Sequence, residues 1–351
     1  MSENIITATE SRPGGPPPDL NIKSQNTKLR WANKNPPADP KVSFAGKTVL
    51  VTGANTGLGF QAAQKYAALG AERLILGVRS QGKGEEAKSA IVKATSHSNI
   101  DIMTIDLTSF DSVQVFVEKL EKATDKLDVA LLNAGLGNPT YEKSPLGWEM
   151  AVQVNVLSTA LMAVLLLPIL RSTAARGSTP HLTFVNSNGH DLAKREWLGP
   201  DGSLLQASNK EKGWVAEDSY SMVKLEGMAV MQHIAKTITT SSTGSPDIIV
   251  NAVCPGLCKT ELGRKFGVVQ RTIGNLVLSF IARTAEQGSR TLVSGTTLGP
   301  ESHGRFWHHD VLYPIGEMAK DEALMRETWD EIYEVISEGR PAVDKALKGN
   351  S

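Results

Sequence analysis

Tyr220-Ser221-Met222-Val223-Lys224 sets a phenol and an ammonium four residues apart. On a helix, positions i and i+4 share one face, so the two groups are neighbours. An unperturbed tyrosine titrates near pH ~10, too high for a base at neutral pH, and a cation a few ångströms away lowers that value. Such a phenol protonates a forming alkoxide or deprotonates an alcohol. Chance alone produces Y-x-x-x-K in about a third of chains of this composition, so the pair by itself reads as a solvated helix face. Two further residues give it context. Ser187 ends the apolar run Phe184-Val185-Asn186-Ser187, where its hydroxyl can donate to a substrate carbonyl oxygen. Asn155, in Gln153-Val154-Asn155-Val156, lies early in a long apolar stretch and reads either as a satisfied core amide or as an anchor for water.

These side chains need a scaffold, and the glycine-rich segment near the start of the domain points to one. Thr52-Gly53-Ala54-Asn55-Thr56-Gly57-Leu58-Gly59 follows the β-branched run Thr48-Val49-Leu50-Val51 and precedes an Ala-rich stretch at helical spacing. A strand, a tight glycine turn and a helix N-terminus form a site for a dinucleotide pyrophosphate. The spacing is T-G-x-x-x-G-x-G, not the commoner G-x-G-x-x-G. Chance matches to its four fixed residues arise about once in 100 chains of this length. Twenty residues beyond Gly59, where such domains meet the adenosine ribose, stands Arg79. An acid there would repel a 2′-phosphate; an arginine fork matches one, which favours NADP(H), with Ser80 and Lys83 as helpers. Asp106-Leu107 ends the third candidate strand and Asn133-Ala134-Gly135 the fourth, at the sheet edge where ligands bind.

Strands and helices alternate from Ala45 onward. Strands are expected at Thr48–Val51, Arg73–Val78, Ile100–Ile105, Asp128–Leu132, His181–Asn186, Ile248–Val253 and, weakly, Arg305–His308. Helices fall near 58–69, 83–95, 110–124, 147–171, 219–239 and 284–298. This alternation predicts an α/β fold, a single doubly wound domain with a parallel sheet of about seven strands over 44–312. Residues 1–43 carry seven prolines among polar residues and read as a loose extension, laid over the domain through Leu29 and Trp31. A further amphipathic helix spans Asp321–Glu338 within a C-terminal segment 313–351, and Pro341–Ser351 reads as frayed.

Composition excludes several classes. Lys+Arg and Asp+Glu are both 37, so nothing marks nucleic acid or an anionic membrane as a bulk partner. Cys254 and Cys258 are too few for a disulfide framework and suit a reducing, cytoplasmic setting. No apolar leader is visible, and the longest apolar stretch, Val156–Leu170, holds Ser158 and Thr159, meets Pro168 and is too short for a membrane span. It reads as a buried or interface helix, and with the Tyr220 helix it could pair copies into a homodimer.

The ordered set of motifs resembles the short-chain dehydrogenase/reductase family over about residues 45–310: T-G-x-x-x-G-x-G at 52–59, Asp106, N-A-G at 133–135, Asn155, Ser187, Y-x-x-x-K at 220–224, and Pro255-Gly256 with Thr260. The resemblance implies that Tyr220 is the acid/base, that Ser187 positions the carbonyl and that Lys224 holds the nicotinamide ribose. It further implies that Asn155 holds a relay water and Thr260 the carboxamide. Leu76-Gly77-Val78-Arg79 and Gly299-Pro-Glu-Ser-His-Gly304 are most similar to the retinol-dehydrogenase-like branch and to fungal members that modify polyketides and terpenoids. The implied substrate is a lipophilic small molecule, steroid- or retinoid-like substrates included.

Tyr220 follows Ser187 by 33 positions, a longer gap than many members show. The insert 189–216, with Trp197, Leu198, Leu204, Leu205 and Trp214, suggests a lid over the substrate or else a surface ornament. The stretch 261–282, with Phe266, Val268, Val269, Ile273 and Leu276, reads as a pocket wall. No metal is expected: His308 and His309 are adjacent, and adjacent strand residues point to opposite faces. His190 invites a Ser-His reading, but no G-x-S-x-G surrounds Ser187. The alternatives to an oxidoreductase are a coenzyme-binding sensor without catalysis and a sugar-nucleotide epimerase, whose T-G-x-x-G-x-x-G spacing is not found here.

Overall fold

The computed structural model describes residues 19, 22, 24–199, 202–238, 244–259 and 281–348. One eight-stranded sheet organises them, in the order β3-β2-β1-β4-β5-β6-β7-β8. The strands are β1 Thr48–Thr52, β2 Arg73–Val78, β3 Ile100–Thr104, β4 Val129–Leu132, β5 His181–Val185, β6 Ile249–Cys254, β7 Phe306–His308 and β8 Val311–Tyr313. The first seven run parallel; β8 pairs antiparallel with β7. The chain reverses between β1 and β4, which opens a crevice at their C-terminal ends.

Alternation along each strand builds two cores. Leu50 and Ile75 face one side with Leu132 and Phe184, while Val49, Val51, Leu74 and Leu76 face the other. Central strands such as Thr-Val-Leu-Val-Thr are buried at every residue because helices cover both faces. Helices α2 (Gly57–Ala68) and α3 (Gln81–Thr95) cover one face. On the other lie α4 (Phe110–Ala123), a π-helical turn Val152–Leu157 continued by α5 (Ser158–Leu165) and α6 (Leu167–Ala175), and α8 (Ala216–Thr237), with the short α7 (Leu204–Ser208) inside the insert. Helix α9 (Ala285–Gly295) packs on α2 and starts at a capping box of Thr284 and Gln287.

Several expectations need correcting. The eighth strand arises because His309 and Asp310 are both left-handed (φ 53° and 58°), a two-residue turn of the kind that closes hairpins. The N-terminal extension contributes a helix, α1 (Gln25–Lys34), bonded to the domain rather than loose. The C-terminus carries α10 (Glu317–Lys320), α11 (Glu322–Ser337) and, in place of a frayed tail, α12 (Pro341–Lys348). Val343 and Ala346 of α12 are buried, and Arg171 donates to the Ala346 and Leu347 carbonyls. Val152–Ala175 is 24 residues of apolar helix, long enough by composition to cross a membrane, yet 83% of its most apolar window is buried inside the protein. Helices α11 and α12 of the same chain pack on α8 and α5. Leu204 and Leu205 of the insert are core residues, not lid residues: both are fully buried among α8 and α11.

Candidate active site

The glycine segment turns from β1 into α2. Gly53 and Gly57 adopt left-handed φ of 67° and 57°, and the Gly53 N–H donates to the Gly77 carbonyl at 2.7 Å. Gly59 is glycine for another reason: a Cβ there would lie 2.4 Å from both the Gly53 carbonyl oxygen and Asn133 Nδ2. Thr56 is the N-cap of α2, and its hydroxyl makes no capping bond. The half-buried Asn55, Thr56, Gly57 and Leu58 thus surround a helix N-terminus whose amides face the crevice.

Thr52 couples this turn to the N-A-G segment. Its hydroxyl accepts from the Asn133 and Ala134 amides, each at 3.0 Å, and Asn133 Nδ2 donates to its carbonyl at 2.8 Å. Asn155 holds the far end: its Oδ1 accepts from Leu136 N (2.9 Å) and its Nδ2 donates to Leu136 O (2.8 Å). Both ends of that amide therefore bond the backbone, each with one further hydrogen-bonding position left. Gly135 must be small, since a Cβ would come within 3.1 Å of Asn155 Oδ1. Arg79 is exposed directly after β2, and Ser80 caps α3 by accepting from Lys83 N. Asp106 Oδ1 accepts from the Thr108 amide and hydroxyl, and the Leu107 carbonyl accepts from Ser158.

Ser187, Tyr220 and Lys224 converge at the C-terminal end of β5. Lys224 Nζ lies 5.7 Å from the Tyr220 ring centre and donates to the Val185 carbonyl at 3.3 Å. Gly189 lets Tyr220 and Ser187 approach each other; a Cβ there would sit 2.9 Å from the tyrosine ring and 3.2 Å from Ser187 Oγ. Asn186 braces the group, accepting from Ser187 N (2.7 Å) and donating to the Lys224 carbonyl (3.1 Å). Burial pushes the Tyr220 phenol up to about 12, against the bond from Ser187. Burial also pulls the Lys224 ammonium down to about 8. Desolvation thus sets the phenol above and the ammonium below their ordinary values.

A short chain dehydrogenase family model matches residues 47–189. The chain is 44% identical over 335 residues to the short-chain dehydrogenase/reductase ffsI of Aspergillus flavipes, covering 94% of this chain and 97% of that protein. The chain belongs to the short-chain dehydrogenase/reductase family. Its similarity to phmF of Phaeosphaeria nodorum, another short-chain dehydrogenase/reductase, is 40% over 93% of this chain and 97% of that one. Solved structures share the fold. A Mycobacterium paratuberculosis protein matches with TM-score 0.64 at 22% identity, over 84% of this chain and 95% of that chain. Pseudomonas aeruginosa RhlG, solved with NADP in its active site, matches with TM-score 0.58 at 20% identity, over 80% and 100%. Members of this family bind a nicotinamide coenzyme, and the residues fit one: the left-handed Gly53 and Gly57 carry the turn onto the N-terminus of α2, where the Thr56 hydroxyl makes no capping bond.

In this short-chain dehydrogenase/reductase the loop after β6 carries Pro255 and Gly256, with Gly256 at φ 77°. Thr260 and the stretch 261–280, pocket-wall residues included, lie outside the described residues. Cys254 is buried between two loops, and its sulfur accepts from the Asn188 and Gly256 amides, each at 3.4 Å. Burial raises that thiol, but the adjacent His308 and the amides outweigh it and hold it at about 7. His190 is structural: its Nε2 accepts from Gly316 N, so its Nδ1 donates to the Ser187 carbonyl, and neither nitrogen serves the Ser187 hydroxyl.

The strand argument against a shared ion at His308 and His309 also fails. The left-handed His309 brings the two rings to 3.7 Å, and their ligand atoms come within 4.8 Å of each other and of Asp19. A different reason disfavours a metal. Arginine only donates, so the 2.8 Å bond from Arg283 Nη2 commits His309 Nδ1 as acceptor. The proton then sits on Nε2, directed at Asp19 Oδ2 (3.2 Å), and no lone pair remains for a metal. Sequence reasoning missed Asn186, Gly189 and Arg283 as site-building residues. Only Asn186, beside Ser187, stood where a signal was readable.

Proposed function

We propose that the chain is an NADP(H)-dependent oxidoreductase that interconverts a carbonyl and an alcohol on a lipophilic small molecule, polyketide- or terpenoid-like. The observation that carries this reading is the convergence of Ser187, Tyr220 and Lys224 beside the glycine cradle. The bound coenzyme supplies or accepts a hydride at its nicotinamide ring. The chain does the rest. Ser187 and the protonated Tyr220 donate to the substrate oxygen, and Tyr220 passes its proton to that oxygen as alkoxide character develops. Lys224, at about 8, stands ready to return a proton to the phenolate. Asn155 holds the N-A-G segment through Leu136, and its amide keeps a lone pair and an N–H that a relay water can meet.

NADP(H) is favoured because Arg79 makes no hydrogen bond or ion pair among the described residues and precedes α3, whose first turn holds no acid. A guanidinium beside a helix N-terminus suits a 2′-phosphate. A lipophilic substrate is favoured because three of the six exposed large apolar residues among the described residues, Leu192, Val215 and Leu257, stand on the segments that carry Ser187, Tyr220 and Gly256. Two free thiols suit a reducing cytoplasm. The test follows NADPH absorbance over lipophilic ketones and aldehydes, with NADH as control. The reading expects substrate-dependent oxidation of NADPH in preference to NADH. NADPH binding with no oxidation across the panel would favour a sensor instead.

A further inference from the structure

Arg283 is 1% exposed, one of the largest fully buried side chains. Its guanidinium joins segments far apart in the chain. Nε donates to the Ala32 carbonyl (3.0 Å) and Nη2 to the Asn35 carbonyl (3.0 Å), both at the N-terminal segment. Nη1 donates to the Pro255 carbonyl (3.1 Å), and Nη2 also reaches His309. The group lies against Gly256, where a Cβ would be 3.2 Å from Nη1. The main chain repeats the link: Arg283 N donates to Leu257 O and Lys259 N to Arg283 O, each at 2.9 Å.

The N-terminal segment is itself fixed to the same corner. Trp31 meets His309 edge-on at 5.4 Å, Asp19 bonds His309, Ala38 N donates to Asp310 Oδ2 (3.0 Å), and Arg290 donates to the Pro37 carbonyl (3.2 Å). A buried guanidinium is tolerated only when its donors are met. The Ala32 and Asn35 carbonyls meet two of them, so the placement of Arg283 depends on α1, and the placement of the Pro255–Lys259 loop depends on Arg283.

We propose that Arg283 is a positioning residue through which the N-terminal segment around α1 sets the Pro255–Lys259 loop, and with it the nicotinamide half of the coenzyme site. The proposal rests on the functional reading above and on the family resemblance, which gives Thr260, next after this loop, to the nicotinamide carboxamide. The extension is then a working part of the site and not an appendage.

The experiment compares two ligands on the full chain by calorimetry, well below each variant's melting temperature. NADPH spans the whole site; 2′-phospho-ADP-ribose lacks the nicotinamide. In Arg283→Lys, which loses the fork, the Kd for NADPH should rise about tenfold while that for 2′-phospho-ADP-ribose changes less than about twofold. Trp31→Ala leaves every Arg283 donor in place and loosens only α1, so it remains informative should Arg283→Lys fold poorly. It should shift the two ligands in the same unequal way. Equal weakening of both ligands, or weakening of neither, overturns the role of Arg283. Wild-type protein that binds neither ligand overturns the functional reading itself.

Discussion

Gly59→Ala isolates the coenzyme cradle. The added methyl would sit 2.4 Å from the Gly53 carbonyl oxygen and 2.4 Å from Asn133 Nδ2, against an ordinary van der Waals contact about 1 Å longer. The first obstacle is backbone, and the second is an amide already donating to Thr52 O. Neither can turn aside, so the turn must open. Overpacking of this kind costs about 1–3 kcal/mol. Taken from binding, that is a loss of about fivefold to 150-fold in coenzyme affinity. Gly84→Ala is the control for overpacking away from the turn, because its methyl would meet the Ile102 and Val78 Cγ2 methyls at 2.6 and 3.0 Å. Calorimetric titration with NADPH should show the loss in Gly59→Ala, with Gly84→Ala within about twofold of wild type. Equal affinities for Gly59→Ala and wild type would refute the cradle argument.

Arg79→Glu should invert coenzyme choice, lowering kcat/KM for NADPH by about 10–100-fold while sparing NADH, since a charge-assisted contact is replaced by repulsion; unchanged preference would remove Arg79 from the 2′-phosphate site. Glu226 is fully buried, and burial, against the nearby Ser208 hydroxyl, holds its pKa well above the usual carboxylate range. A folded pKa above the unfolded one means stability is fully present below the ordinary carboxylate pKa and is lost as pH rises toward the folded value. Glu226→Gln should therefore gain in melting temperature relative to wild type as pH is raised, and parallel curves would contradict this. Because α11 and α12 pack on α8 and α5, sedimentation velocity should give a monomer of 37.7 kDa; a stable dimer would show that another face pairs copies.

The sheet and the site were legible where local pattern reports burial. Runs such as Val49-Leu50-Val51 and Leu74-Ile75-Leu76 are apolar without interruption because both faces are covered, and glycine reports the left-handed Gly53 and Gly57. What escaped depends on partners distant in sequence. Arg283 bonds carbonyls some 250 positions away, and any residue presents a carbonyl, so no side-chain pattern announces the clamp. The β7–β8 turn uses His309-Asp310, with no glycine to signal it. Leu204 and Leu205 are as apolar as a lid would need, and only the packing of α11 assigns them to the core. For Tyr220, spacing reports the nearness of Lys224 but not the desolvation of both groups.

The central claim is that Tyr220 exchanges the proton at a nicotinamide site. Single-turnover NADPH oxidation by Tyr220→Phe, with an accepted ketone from the panel, tests it most directly. The account predicts a rate lower by about 100-fold to 10,000-fold with NADPH affinity within about threefold of wild type. A variant that oxidises NADPH at close to the wild-type rate would contradict it.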